Sequence, residues 1–273
     1  MPELPEVETV RRTLQQLIVG KRIERVTVRL ARIIQYPEPE PFCHALVGQT
    51  FREVGRRGKF LRFHLDNLAL ISHLRMEGRY GLYASTEEME AHTHVIFHFD
   101  DNTELRYKDV RQFGTMHLYP LGSELDRPPL IKLGIEPLDP NFSFAVFQRL
   151  IMNRSTKIKP WLLNQEYIVV IGNIYVDESL FRARIHPERT ADSLSRIELR
   201  RLYRAIVDIL SQAVEAGGSS IKSYVNGQGE MGMFQQQLLI YGRKQEPCVK
   251  CGYPIEKMVV AGRGTHYCAR CQK

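Results

Sequence analysis

Cys248 and Cys251 are separated by two residues, as are Cys268 and Cys271, with sixteen residues between the pairs. Four thiolates at this spacing close a tetrahedral zinc site with no open position, so the expected metal is one structural Zn2+. Only Cys43 lies outside this group, and it reads as a buried or inert thiol in a reducing, cytoplasmic compartment. Between the pairs, 258–261 and 265–267 read as two strands around Gly262-Arg263-Gly264. That places Arg263 at the tip of a stiff hairpin, where it could enter a groove or clamp a phosphate. The plain alternative is a solvated turn arginine.

The second reactive feature is at the other end, in Met1-Pro2-Glu3-Leu4-Pro5-Glu6-Val7-Glu8. If Met1 is removed, Pro2 presents a secondary amine, a nucleophile toward an aldehyde-like carbon. It becomes largely unprotonated near neutral pH if its pKa is pushed below the α-amino value of about 8. Glu3 beside it could move protons. With Met1 attached, Pro2 is an amide nitrogen, so this chemistry belongs only to the processed chain. An unreactive, frayed end is the alternative.

Three further groups mix cations with glycine or aromatic residues. Gly55-Arg56-Arg57-Gly58-Lys59 suggests backbone approaching an anion at a strand start, although a basic loop is usually only solvated surface, and Lys59 is a Schiff-base amine if its pKa is lowered. His73-Leu74-Arg75-Met76-Glu77-Gly78 and Asp109-Val110-Arg111-Gln112-Phe113-Gly114 each end in glycine. Met, Phe and Arg are residue types that wedge into a base stack, although on types alone Met76 and Phe113 read first as core residues. His92, His94 and His98 are read as sharing one strand face; ordinary strand histidines are favoured over a second metal.

These groups must be held by three kinds of segment. Val7, Val10, Leu14, Leu17 and Ile18 recur at helical spacing behind Pro5, Glu6 and Glu8, and Gly20 ends the run. From Lys21 to about Tyr119 the pattern alternates: Val26, Val28, Leu30; Leu61, Phe63, Leu65; Val95, Phe97, Phe99. The last set meets Leu105 and Tyr107 across Asp100-Asp101-Asn102 as a hairpin. Arg127-Pro128-Pro129 reads as a linker. From about Asn141 the pattern is helical, with a Ser195/Glu198 capping box and a helix-turn-helix-like unit around Ile171-Gly172-Asn173. The Gly-, Ser- and Gln-rich segment 217–237 reads as a long loop. The expected architecture is multidomain α+β: a β-sandwich with its opening helix (1–130), a helical domain (131–237) and a cysteine finger (238–273). The formal net charge is +7, and the 33 residues from Tyr241 carry +5 of it, which favours a polyanionic partner. There is no apolar run of membrane-spanning length and no secretory leader.

Taken together, these stretches resemble the bacterial formamidopyrimidine-DNA glycosylases, which remove oxidised purines such as 8-oxoguanine. The resemblance is carried by Pro2 to Glu8, Arg56-Arg57-Gly58-Lys59, Ser72 to Gly78, Asp109-Val110-Arg111, Gly172-Asn173-Ile174-Tyr175 and Gly262-Arg263-Gly264-Thr265-His266. It implies a helix–two-turns–helix domain between the sandwich and the zinc finger, and double-stranded DNA in the cleft between domains. It also implies a monomer that excises the base and cleaves the strand. Pro2 would form the imine, Glu3 shuttle protons, Lys59 assist the first elimination and Arg263 the second. Met76, Arg111 and Phe113 would fill the void left by the flipped nucleotide. His73, His92, Arg154, Asn173, Tyr241, Lys257 and Arg263 would hold the DNA backbone, and Ser219, Ser223 and Tyr224 would line the loop over the flipped base.

Four positions depart from the family pattern. Val170 stands for a usual Gly, which is costly for a β-branched residue if φ is positive there. Gln112 replaces a cation, Asn164 an Asp, and Arg154 a common Lys. Two other readings are an endonuclease VIII-type enzyme for oxidised pyrimidines and a non-catalytic zinc-finger DNA-binding protein. The former relatives commonly begin Met-Pro-Glu-Gly-Pro, whereas this chain has Leu4.

Overall fold

The computed structural model describes residues 2–218 and 234–273. They divide into two compact units, residues 2–131 with Gly217 and Gly218, and residues 132–216 with 234–273.

In the first unit, α1 (Leu4–Ile18) precedes β1 (Ile23–Val28), β2 (Ile34–Tyr36) and α2 (Pro39–Leu46). Seven strands follow: β3 (Glu53–Arg57), β4 (Phe60–His64), β5 (Leu68–His73), β6 (Arg79–Ala84), β7 (Thr93–Phe99), β8 (Thr103–Lys108) and β9 (Thr115–Pro120). They form a four-stranded sheet, β1-β7-β8-β6, and a five-stranded sheet, β2-β9-β5-β4-β3. One apolar core takes Val95, Phe97 and Leu105 from the first sheet, Val54, Leu61, Phe63 and Leu70 from the second, and Val7, Val10 and Leu14 from α1. Phe51 bridges the layers, with its ring 5.7 Å from Phe63 and 6.1 Å from Phe97. The β7–β8 hairpin has the expected register, Val95 opposite Tyr107 and Phe97 opposite Leu105. Asn102 takes φ 62° in its turn, which asparagine tolerates. β1 stops at Val28 and leaves Leu30 outside, because the chain turns into a short 3-10 segment at Ala31.

Helix α1 does more than cover the core. β3 is an edge strand, and edge strands leave backbone groups unpaired. Here the polar face of α1 supplies the partners: the Val54 N–H donates to Gln15 Oε1 at 2.7 Å, and Arg11 Nη1 donates to the Val54 carbonyl at 3.2 Å.

The second unit contains α3 (Phe144–Ile151), α4 (Ile158–Leu163), α5 (Asn173–Ala183), α6 (Arg196–Glu215), β10 (Glu256–Val260) and β11 (Arg263–Tyr267). The α6 capping box is present, with Ser195 N donating to Glu198 Oε2 at 2.8 Å and Glu198 N to Ser195 Oγ at 3.3 Å. β10 and β11 form the expected hairpin, whose core of Cys248, Ile255 and Cys268 packs on Phe181 of α5 and Ile240. Of the segment read as a loop over 217–237, the four residues Phe234–Gln237 form a 3-10 turn anchored by a buried Phe234, and the rest beyond Gly218 lies outside the described residues. Among the described residues, no helix is long and apolar enough to cross a membrane.

Candidate active site and metal centre

The bonds between α1 and β3 also fix where Pro2 and Glu3 go. Glu8 Oε2 accepts from Arg56 at 3.3 Å, while Gln15, further along the helix, meets Val54. Helix and strand therefore run antiparallel. Moving from Glu8 back to the helix start covers about 1.5 Å per residue, and moving from Arg56 forward covers about 3.3 Å per residue. Both lead to the same place: Pro2 and Glu3 are carried toward the two-residue turn Gly58-Lys59, between the paired Arg57 and Phe60. Glu3 begins the helix, and its N–H donates to Glu6 Oε2 at 2.8 Å. Burial opposes ionisation of Glu8, but Arg11, Arg56 and Arg12 outweigh it and hold its carboxyl below the ordinary range.

Lys59 is therefore not the solvated loop cation that its glycine-rich surroundings imply. It is 5% exposed, with Arg56 Nη1 bracing the turn through the Gly58 carbonyl at 2.9 Å. His73, at the end of β5, lies against this turn with its ring edge-on to Phe60 at 4.5 Å. Burial, then the charges of Arg75 and Lys59, push the His73 imidazole down to about 3, so it is neutral at working pH. Its Nδ1 accepts the Arg75 N–H at 2.9 Å, which leaves Nε2 as the protonated donor. Gly218 belongs to the same neighbourhood: a Cβ there would come within 3.0 Å of the Glu6 backbone N.

The second cluster in this unit is built by Asp109, which carries no role of its own among the sequence expectations. It is fully buried; Oδ1 accepts from Arg111 N at 3.1 Å, and Oδ2 from Phe113 N and Gly114 N at 2.9 and 2.8 Å. Its carbonyl accepts His94 Nε2 at 2.9 Å, and its N–H donates to the His92 carbonyl at 3.1 Å. One carboxylate thus shapes a loop that leaves Phe113 52% exposed under the Arg111 guanidinium, 5.0 Å from the ring centroid. Phe113 is not a core residue, and Met76 is half-buried in a turn of its own. The two loops meet at the Tyr107 hydroxyl, which donates to Asp109 Oδ2 at 3.3 Å and which any Cβ at Gly78 or Gly114 would strike. Burial pushes the Tyr107 pKa up and keeps it a donor. Gln112, at φ 59°, accepts from Arg32, so a guanidinium stands beside the position where the family cation is missing.

The expected histidine face is not formed. His92 precedes β7 at φ 62° and is exposed, His94 is spent on Asp109, and His98 pairs with Glu104 at 2.8 Å. Among the described residues, the four cysteines are the one group arranged to hold a metal. Their sulfurs all lie within 4.8 Å of one another, with Cys248–Cys271 at 3.9 Å and Cys251–Cys268 at 3.5 Å. A tetrahedron with Zn–S bonds of about 2.3 Å has sulfurs roughly 3.8 Å apart, so the set fits Zn2+. The Lys250 N–H also faces Cys248 Sγ at 3.4 Å.

Arg263 is placed differently from the expectation. Ala261 and Gly262, at φ 48° and 73°, make the turn, and Arg263 is the first residue of β11, opposite Val260. This two-residue turn takes positive φ twice, as a type I′ hairpin does, and the alanine gives no sign of that in the sequence. The strand is tied to the helices through Gly264. Its carbonyl accepts Asn173 Nδ2 at 2.8 Å and Lys159 Nζ at 3.3 Å, and Lys257 covers its Cα, with Cε 3.3 Å from where a Cβ would be. Lys159 and Asp177, both fully buried, pair at 2.6 Å, and Asp177 also accepts His266 N at 2.8 Å. Glu178 accepts backbone N–H groups from Leu239, Ile240 and Tyr241; burial pushes its carboxyl up against these donors. Tyr241 then packs edge-on to His266 at 5.1 Å.

Asn173 and Lys257 thus meet β11 at Gly264, beside Arg263, and Tyr241 meets it at His266, with Lys159, Asp177 and Glu178 behind them; those three have no expected site role from the sequence. Two adjacent acids inside the apolar run of α5 were the available signal. Arg154 does not join this group; it lies over the Tyr167 ring at 5.1 Å. Asn164 Oδ1 accepts the Glu166 N–H at 2.9 Å, a bond that an Asp carboxylate could also accept. Ser219, Ser223 and Tyr224 lie outside the described residues.

Comparison with known proteins matches this arrangement part by part. The formamidopyrimidine-DNA glycosylase N-terminal domain matches residues 1–116, the formamidopyrimidine-DNA glycosylase H2TH domain residues 133–225, and a zinc finger found in FPG and IleRS residues 245–273. A formamidopyrimidine-DNA glycosylase of Brevibacillus brevis is 63% identical over 274 residues, covering 100% of this chain and 99% of that protein. A Lactococcus lactis FPG mutant in complex with a Fapy-dG containing DNA superposes with TM-score 0.94 at 41% identity, both chains covered completely. The L. lactis Fpg in complex with an abasic site containing DNA gives the same TM-score, identity and coverage. With the turn at Lys59, the Asp109 loop and the cysteine hairpin all in the expected order along a fully matched chain, this protein belongs to the formamidopyrimidine-DNA glycosylase family.

Proposed function

We propose that this chain is a base-excision repair enzyme, a bifunctional DNA glycosylase and AP lyase. It removes oxidised purines such as 8-oxoguanine and formamidopyrimidines from double-stranded DNA, acting as a monomer in the cytoplasm. The observation that carries the reading is the antiparallel seating of α1 on β3, which directs Pro2 and Glu3 toward the buried Lys59.

The chemistry belongs to the chain without Met1. The Pro2 amine attacks C1′ of the damaged nucleotide; the N–C1′ bond forms as the base leaves with its bonding pair and takes up a proton. Glu3 relays protons as the sugar ring opens to the imine. The imine acidifies the adjacent C–H, so loss of that proton expels the 3′ phosphate, and a second elimination expels the 5′ phosphate. Lys59 assists the first elimination and Arg263 the second. Arg111 faces the orphaned cytosine while Met76 and Phe113 fill the gap. In the first unit His73, through its Nε2–H, and His92 hold the DNA backbone; in the second Arg154, Asn173, Tyr241, Lys257 and Arg263 do so. Ser219, Ser223 and Tyr224 belong to the loop over the flipped base. Cys248, Cys251, Cys268 and Cys271 hold one Zn2+, which folds the hairpin and takes no part in the reaction. The division at 130 and 237 is part of the same reading, with the finger a module seated on α5.

Borohydride reduction of enzyme mixed with an 8-oxoguanine duplex tests the proposal. The processed chain should give a covalent adduct, and a chain with a non-removable N-terminal extension, in which Pro2 is an amide, should give none. Equal trapping by both chains would remove Pro2 from the reaction. Faster excision of thymine glycol than of 8-oxoguanine would move the substrate class to oxidised pyrimidines.

A further inference from the structure

The turn that begins α5 contains a conformation its sequence should resist. Val170 has φ 80° and is fully buried. Among the described residues with positive φ it is the one β-branched side chain. A left-handed backbone crowds Cβ against the neighbouring carbonyl, and branching makes this worse. Such a residue persists only where its surroundings over-determine it.

Those surroundings centre on one side chain. Gln165 Oε1 accepts the Val170 N–H at 2.8 Å, and Gln165 Nε2 donates to the Leu163 and Ile171 carbonyls, each at 3.1 Å. The amide orientation is fixed by chemistry: reversing it would set the NH2 against an N–H and the oxygen against two carbonyls. Leu163 is the last residue of α4, and Ile171 immediately precedes Gly172, the N-cap of α5. One amide therefore bridges the end of α4 and the start of α5 across the strained residue. Its own backbone is anchored, because the Gly134 N–H donates to the Gln165 carbonyl at 2.8 Å, and Val169 N donates to Ile135 O at 3.0 Å on the other side of the turn. Three residues beyond Val170, Asn173 makes its 2.8 Å bond to Gly264, next to Arg263.

We infer that Gln165 is a positioning residue: its side chain holds Val170 in the left-handed conformation and thereby sets Asn173 against the strand that carries Arg263. The inference rests on the DNA-glycosylase reading above. Gln165 touches neither the sugar nor the base in this scheme and acts through the backbone of 170–173.

The test is a four-protein comparison of the full chain, Q165L, V170G and Q165L/V170G. The readouts are the Kd for a duplex with a tetrahydrofuran abasic-site analogue and the single-turnover excision rate on an 8-oxoguanine duplex. Leucine removes all three hydrogen bonds at similar volume, and glycine removes the strain they oppose. Q165L should raise Kd about tenfold in the Val170 background and less than threefold in the V170G background, with the loss falling on Kd rather than on the excision rate. A Q165L protein that binds like the parent overturns the inference, and so does an equal Kd ratio in both backgrounds, which is what generic destabilisation would give. If Q165L fails to fold by circular dichroism and zinc content, recovery of folding and binding in the double variant supports the inference, and no recovery overturns it. Failure of the functional reading would show separately, as a parent chain that neither binds nor excises.

Discussion

Two hairpin turns each offer one cation, and they are built in opposite ways. Lys59 sits in the Gly58-Lys59 turn of the sandwich, 5% exposed, braced by Arg56 and pressed near a neutral His73. Arg263 follows the Ala261-Gly262 turn of the cysteine hairpin, exposed, with its strand held from behind through Gly264. The first cation is held in dry surroundings by its own sheet. The second is held in water by a metal site and two helices. An ammonium is a compact donor whose protons a base can take, whereas a guanidinium keeps its protons and acts as a fixed charge and donor fork. The difference matches a proton-handling role for the first turn and a phosphate-holding role for the second.

Metal removal should separate the two turns most sharply. Chelation, or Cys268→Ser, takes away the folding free energy of the finger, on the order of 10 kcal/mol for structural zinc. Affinity for a lesion duplex should fall more than a hundredfold, while near-ultraviolet signals of the sandwich persist. A chelated protein with unchanged Kd would show that the second turn does not depend on zinc.

The helices behind that hairpin come next. Asp177→Asn leaves Lys159 charged and fully buried without its counter-ion, a change that costs about 3–5 kcal/mol. It also weakens the acceptor for His266 N. The expected result is a large drop in the thermal midpoint of the second unit. A midpoint within 2 °C of the parent, with ~4–8 °C expected per kcal/mol in a small domain, would mean that the Gly264 carbonyl and the other contacts of Lys159 hold its charge without Asp177.

How much of this contrast the sequence shows differs between the two turns for physical reasons. The zinc hairpin is legible because four ligands at fixed spacing leave few geometries open. The exact seat of Arg263 is not, since nothing about Ala261 announces a φ of 48°. The burial of Lys59 is not legible either: a Gly-Arg-Arg-Gly-Lys stretch looks solvated until α1 covers the neighbouring edge strand. Asp109 hides among ordinary turn aspartates, because its hydrogen bonds depend on residues brought together from β7, β8 and the loop itself. Val170 is the reverse case. The missing glycine warned of positive φ, and the observed 80° meets that warning, but the compensating Gln165 could not be found without the turn that joins them.

For the first turn, the sharpest substitution is Lys59→Arg. It keeps the charge and loses the exchangeable proton, and it adds bulk at a buried site. Strand cleavage at an abasic duplex should fall about a hundredfold, within the range of a lost acid–base group. Wild-type cleavage by this variant would assign Lys59 an electrostatic role only. His73 reports on the same surroundings through pH. Its folded pKa of about 3 lies below the unfolded value near 6.5, so its contribution to stability is complete above pH 6.5 and is lost as pH falls toward 3. The slope is about 1.4 kcal/mol per pH unit in that window. His73→Gln should flatten urea-derived stability between pH 6 and 4, and an unchanged slope would place the proton uptake elsewhere.

The smallest effect is expected from the reciprocal exchange, Arg263→Lys. If the second turn supplies a fixed charge near a phosphate, an ammonium at the start of β11 keeps the charge, the reach along an exposed strand and the Gly264 anchor behind it. What it loses is the bidentate fork, one good hydrogen bond of the charge-assisted kind. Kd for the abasic duplex should rise less than tenfold, with the slope of log Kd against log salt unchanged because the number of phosphate-neutralising cations is unchanged. The neutral variant Arg263→Gln should instead reduce that slope by roughly one. If Arg263→Lys proves as damaging as Lys59→Arg, then geometry rather than charge governs both turns, and their contrast in burial does not divide the chemistry between them.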